Sequence, residues 1–168
     1  YKRQVIRSVS TVFFVIVNSL AATTGSLVSN LLGAGQKRQV IPLCNCVVRL
    51  GYAIGFPLVI LAVIFYRPII GIYTESTALM QIAHLPFVVM LLNYIFALPG
   101  YVYMNSVTGT GATRMTFIFQ LITIVAYQIY LWSISCFSTS LSVYWTAEYL
   151  YVILLGLLSV IYLKYKHY

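Results

Sequence analysis

Residues 115–135 read MTFIFQLITIVAYQIYLWSIS, and no Asp, Glu, Lys or Arg interrupts them. A helix needs about 20 predominantly apolar residues to cross the roughly 30 Å hydrocarbon core of a bilayer. This stretch has that length. It is too long and too continuously apolar for a strand of a membrane barrel, where outward and inward residues alternate. Hydrocarbon offers nothing to backbone N–H and C=O groups, so the helix, which pairs them within the segment, is the form expected.

The same pattern recurs on both sides of this stretch, over residues 9–32, 40–66, 78–108 and 144–163. The sequence therefore predicts an all-α integral membrane protein, a bundle of about five transmembrane helices in a single transmembrane domain spanning 1–168. The connectors, 33–39, 67–77, 109–114 and 136–143, are too short to form a further domain. Composition agrees, with 61% hydrophobic and 7% charged residues and a mean hydropathy of +0.94. A soluble domain carries roughly a quarter charged residues and needs them to cover its surface.

The formal net charge is +8, but the basic residues sit at the ends of apolar runs and do not line one face of an element. They read as interface anchors facing lipid headgroups, so lipid is the expected partner and nucleic acid is not. By helix parity Lys37, Arg38, Arg114, Lys164, Lys166 and His167 fall on one side, and the opposite loops contribute Arg67. That asymmetry predicts a multi-pass protein of the plasma (inner) membrane with its C-terminal tail in the cytoplasm. Lys2, Arg3 and Arg7 count against it. Tyr1 opens the chain with no Met, basic leader or cleavage site, the expectation for a fragment of a longer chain. Cys44, Cys46 and Cys136 suit neither a disulfide framework nor a metal chelate, and read as small apolar fillers.

Small residues recur every four positions at Ala21, Gly25, Ser29 and Gly33, and Gly51 and Gly55 form a second such step. Both predict faces where helix backbones approach closely in lipid. The third apolar run exceeds the bilayer core, and Pro99-Gly100 supplies a hinge; Pro57 and Pro86 can distort their helices as well.

Polar groups at depth are few: Asn18, Asn93, Gln120, Gln128 and Glu148. Glu148 is the one acidic residue within a predicted span. A carboxylate there faces the bundle interior, a water-filled cavity or a cation, or else sits at a hydrated interface. Asn93, Tyr94, Tyr127 and Glu148 are the candidates for a substrate or cation cavity. Aromatic faces bind organic cations, although helix packing is the plainer role for Tyr94, Tyr101, Tyr103 and Tyr127. Glu75 reads as a loop charge and His84 as a structural hydrogen-bonding residue. No catalytic constellation, cofactor motif or metal cluster is present in the sequence: HExxH, GxSxG and phosphate loops are absent, and Gly109-Thr110-Gly111 follows a helix where a nucleotide loop follows a strand. The chain does not read as an enzyme.

Three motifs, VSNLLGAGQ at 28–36, IGIYTE at 70–75 and GTGATR at 109–114, occur in an order and spacing that resemble the multidrug and toxic compound extrusion (MATE) family. The resemblance implies a twelve-helix transporter of two lobes that exports small organic, often cationic compounds in exchange for Na⁺ or H⁺. This chain then corresponds to helices eight to twelve of the second lobe, with the N-terminal lobe as its missing partner and a cavity lined by the third, fourth and fifth helices. One departure matters. Some members carry an acidic residue in the tenth helix as part of a cation site, and the matching stretch here, NYIFALPG at 93–100, has none. Asn93, Tyr94 and Glu148, or the absent lobe, would then supply the oxygen ligands. Two rival readings remain. A lipid-linked oligosaccharide flippase of the same superfamily needs several buried cations, where this sequence offers Arg49 and Arg114. A non-transporting membrane scaffold needs no cavity at all.

Overall fold

The computed structural model describes the backbone of residues 2–65, 68, 77–137 and 141–168, and side chains at 11, 13–65, 68, 88–89, 91–136 and 146–168. Lys2, Arg3, Arg7, Arg67, Glu75, His84, Pro86 and the motif at 70–75 lie outside the described side chains. Five long helices make up the fold among the described residues: α1 (Lys2–Gly33), α2 (Val40–Ile64), α3 (Thr77–Gly109), α4 (Thr113–Phe137) and α5 (Leu141–Tyr165), with a 3₁₀ turn at Lys37–Gln39 before α2. The chain is thus an all-α bundle. The helices at both ends reach past their apolar runs. α1 begins at Lys2 rather than near residue 9, because a charged side chain ends the hydropathy signal without ending the backbone hydrogen-bond ladder.

Four stretches among the described residues are long and apolar enough to cross a membrane: Phe13–Gly33, Lys37–Ile64, Thr113–Cys136 and Thr146–Tyr165. The remaining helix, α3, has 33 residues and is about 50 Å long as a straight helix, well beyond the hydrocarbon thickness. It stands at the centre, touching α1, α2, α4 and α5 and packing most extensively on α1 and α5. Tyr94, Leu98 and Val102, spaced one turn apart on α3, are buried with Val17, Ala21 and Val28 of α1, Cys44 and Val47 of α2, Phe119 of α4 and Leu155 of α5.

Two of the family-like motifs are helix stops. α1 ends with the Gly35 amide donating to the Leu32 carbonyl (3.0 Å) and the Gln36 amide to that of Leu31 (2.9 Å). This is the Schellman arrangement, and it needs the left-handed φ of +76° that Gly35 adopts. At the end of α3, Gly111 repeats part of it at φ +82°, its amide donating to Thr108 at 2.9 Å. α5 closes the same way with a non-glycine residue, His167, at φ 56°. Lys37, Arg38, Arg114, Lys164 and Lys166 lie beside these three ends, where the unpaired carbonyls favour positive charge.

The small residues divide into two kinds of contact. A methyl group on Gly25 would meet the Asn105 carbonyl oxygen at 3.1 Å, and one on Gly109 would collide with the Gly25 carbonyl. The Ser29 hydroxyl donates to the Gly109 carbonyl across the same α1–α3 seam at 2.9 Å. Here backbones do meet. At Gly51 and Gly55 the expected backbone contact gives way to side chains: Leu98 fills the space over Gly51, and the Tyr94 ring lies on Gly55. The glycine step of α2 is a groove for two knobs of α3, one turn apart. Gly33 has nothing within 4 Å of such a methyl; it belongs to the helix stop and not to the packing face.

Of the cysteines, Cys44 alone is buried, while Cys46 and Cys136 are exposed. The Cys44 thiol sits 2.9 Å from the Ser106 hydroxyl, joining α2 to α3.

Candidate substrate and cation cavity

The sequence candidates fall into two neighbouring places along α3. The first is a small cavity between α1 and α3, lined by Phe13, Phe14, Val17, Leu91, Asn93, Tyr94 and Ala97. The space open to the centre of a water-sized sphere is about 20 Å³, enough for one water molecule or one small polar group. Asn93 is 5% exposed, and its Oδ1 has no hydrogen-bond partner among the described residues. A buried amide oxygen left unsatisfied costs about 1–3 kcal/mol, so this atom is an acceptor awaiting a donor or a cation. Tyr94 contributes its ring, set edge-on to Phe13 with centroids 6.0 Å apart. Its hydroxyl points away, donating to the Gly51 carbonyl of α2 at 2.9 Å. Packing over Gly55 and this bond make Tyr94 a wall of the cavity and not an oxygen ligand within it.

The second place holds Glu148 and Tyr127. Glu148, half-buried on α5, lies within electrostatic reach of the hydroxyls of Tyr101, Tyr127 and Tyr151. Tyr127 of α4 meets Tyr151 edge-on at 6.2 Å, and Tyr130 of α4 shares a hydrogen bond with Thr146 of α5 at 3.1 Å. The carboxylate therefore lies on the side of α5 that faces tyrosines of α3 and α4. Phe14 connects the two places, because it lines the first cavity and packs edge-on against Tyr101 at 6.3 Å.

The chain belongs to the MatE family. The MatE family model matches residues 4–132, which takes in α1 to α3 and most of α4. No curated protein and no solved structure matches the chain. MatE proteins are membrane transporters rather than enzymes, and this MatE chain is a multi-pass membrane protein. Glu148 and Tyr151 lie beyond the matched residues, so their place in the bundle rests on the fold itself.

Sequence reading missed Phe13, Phe14 and Tyr151. The i, i+3 spacing of Glu148 and Tyr151 on one helical face is a signal that finds the last; an aromatic pair in an apolar run carries no such signal. Of the other polar candidates at depth, Gln120 donates to the Met104 sulfur at 3.3 Å, whereas Asn18 and Gln128 are exposed. Tyr103 donates to Asn45 Oδ1 at 2.5 Å and belongs to helix packing. Among the described residues no three His, Cys, Asp or Glu side chains gather in one place.

Proposed function

We propose that this chain forms part of the second lobe of a secondary active efflux transporter, exchanging small organic, often cationic compounds for Na⁺ or H⁺ across the plasma (inner) membrane, with its tail in the cytoplasm. The observation that carries the reading is the outward face of α1. Within its membrane-crossing stretch Asn18, Ser19, Ala22, Thr23 and Ser26 are all exposed. Val15 and Leu27 are the large apolar residues exposed on that helix among the described residues. On α4 the outward face carries Phe117, Ile118, Leu121, Ile122, Ile124, Val125, Ile129 and Trp132, with Gln128 as an exposed polar residue among them. The α4 face is mostly large and apolar and suits lipid. On α1 the hydroxyls of Ser19, Thr23 and Ser26 donate to carbonyls of their own helix, so what favours water or protein there is the shortage of large apolar side chains and the Asn18 amide. The α1 face would border a water-filled path shared with the first lobe, as in transporters that rock two halves around a central site.

In this reading Glu148 supplies the negative charge for the coupling ion, Tyr101, Tyr127 and Tyr151 supply aromatic faces for an organic cation, and Asn93 Oδ1 offers a neutral oxygen next door. Arg49 and Arg114 are both exposed, so neither is a buried cation of the kind that a flippase would use for a pyrophosphate. In cells making the full-length protein, accumulation of a fluorescent cationic dye should fall while ion gradients stand and recover when they collapse. Dye levels indifferent to both Na⁺ and H⁺ gradients would overturn the antiport reading.

A further inference from the structure

Pro99 lies inside α3 and has no amide hydrogen, so the carbonyl of Ile95, one turn earlier, loses its helical donor. At membrane depth that oxygen must be met from elsewhere. Tyr52 of α2 meets it, its hydroxyl donating at 2.5 Å. A second bond runs the other way between the adjacent residues, from the Tyr94 hydroxyl of α3 to the Gly51 carbonyl of α2 at 2.9 Å. Residues 51–52 and 94–95 thus clasp one another across the crossing.

The two bonds are chemically unequal. The helical donor to the Gly51 carbonyl is the amide of Gly55, which Pro57, the proline inside α2, leaves in place, so the bond from Tyr94 is supplementary. Ile95 has lost its donor to the proline, so the bond from Tyr52 is a replacement. A proline in a helix permits flexing because one rung of the ladder is missing. Here the missing rung is restored by another helix, and only while α2 and α3 keep the register in which Tyr94 and Leu98 occupy the Gly55 and Gly51 positions of the groove.

We propose that Tyr52 is a positioning residue that latches the Pro99 hinge, so that the set of α3 depends on where α2 lies. Asn93 and Tyr94 precede the hinge and Tyr101 follows it. Release of the latch therefore changes the angle between the α1–α3 cavity and the Tyr101 side of the bundle, towards Glu148, and water replaces the Tyr52 hydroxyl on the Ile95 carbonyl. A slide of α2 along α3 is converted in this way into a movement between two halves of one site. The latch itself rests on geometry alone and holds whether or not the transport reading does.

A double-mutant cycle in the full-length protein tests it. Tyr52→Phe removes the donor, and Pro99→Ala returns the amide that makes the donor unnecessary. Tyr52→Phe alone should lower the folded-to-unfolded ratio by roughly threefold, the scale of an interhelical hydrogen bond in a membrane, and should broaden the distance distribution between spin labels at positions 92 and 108 of α3. In the Pro99→Ala background the same substitution should change neither. Tyr94→Phe should have an effect of similar size in both backgrounds. If Tyr52→Phe prevents accumulation while the double variant accumulates, the latch is equally supported. Equal effects of Tyr52→Phe in the two backgrounds, including no effect in either, would overturn it.

Discussion

Gly100 of α3 and Gly156 of α5 bring two helices into backbone contact: a methyl group on Gly156 would stand 3.1 Å from the Gly100 Cα, and one on Gly100 would stand 2.7 Å from the Val152 carbonyl oxygen. Neither obstacle is a flexible side chain. Gly100→Ala should therefore destabilise the full-length protein by about 1–3 kcal/mol, the range for overpacking a filled interior. Gly33→Ala, with nothing in reach and helical backbone around it, should be neutral or stabilising by about 0.5 kcal/mol. Thermal unfolding of the two purified variants beside the parent protein reads the contrast.

Asn93 presents the opposite case, a buried amide whose oxygen has no hydrogen-bond partner among the described residues. Asn93→Leu removes the unsatisfied oxygen at similar volume and should raise the melting temperature, returning about 1–3 kcal/mol. If the cavity serves substrate or ion, transport should fall in the same variant. A gain in stability with transport unchanged would assign the cavity to packing alone.

Tyr127 separates an aromatic from a hydroxyl role. Tyr127→Phe keeps the face that a cation would meet and should leave affinity for a cationic dye nearly unchanged. Tyr127→Ala removes that face at a cost of about 1 kcal/mol, roughly fivefold in affinity. Titration of dye binding to the full-length protein in detergent distinguishes them, and equal losses in both variants would point to the hydroxyl.

The membrane class and the helix count were legible because charge is scarce and confined to the ends of apolar runs. The ends of α1 and α3 were legible as the short connectors at 33–39 and 109–114, but that Gly35 and Gly111 stop those helices in the left-handed conformation was not. The contents of the packing seams were not legible either. Gly51 and Gly55 carry the same spacing as Gly25 and its neighbours, yet Tyr94 and Leu98 fill their groove where backbones meet at Gly25. The spacing of small residues reports that something approaches and is silent about what. Gly156, an isolated glycine in a leucine-rich run, gave no pattern at all. Likewise Tyr94 was legible as a deep aromatic residue, but the direction of its hydroxyl depends on a helix 43 positions away in sequence. Glu148 stood out as an acidic residue in a span, but its nearness to tyrosines on α3 and α4 depends on how three helices pack.

The sidedness of the helix stops gives a further expectation. Single cysteines placed at 36, 113 and 166, in a background where Cys44, Cys46 and Cys136 are replaced, should react with an impermeant maleimide from the cytoplasmic side. Cys136, exposed at the far end of α4 and restored as the single cysteine, should react from the other face. Labelling of position 36 and position 166 from opposite sides would contradict the arrangement of α1 and α5.

Gradient-driven uptake of a fluorescent cationic dye into proteoliposomes holding the full-length protein, compared between the parent and Glu148→Gln, tests the central claim most directly. The account predicts transport that follows an imposed Na⁺ or H⁺ gradient in the parent, and loss of that dependence in the variant with its fold retained. Gradient-dependent transport preserved in Glu148→Gln would contradict it.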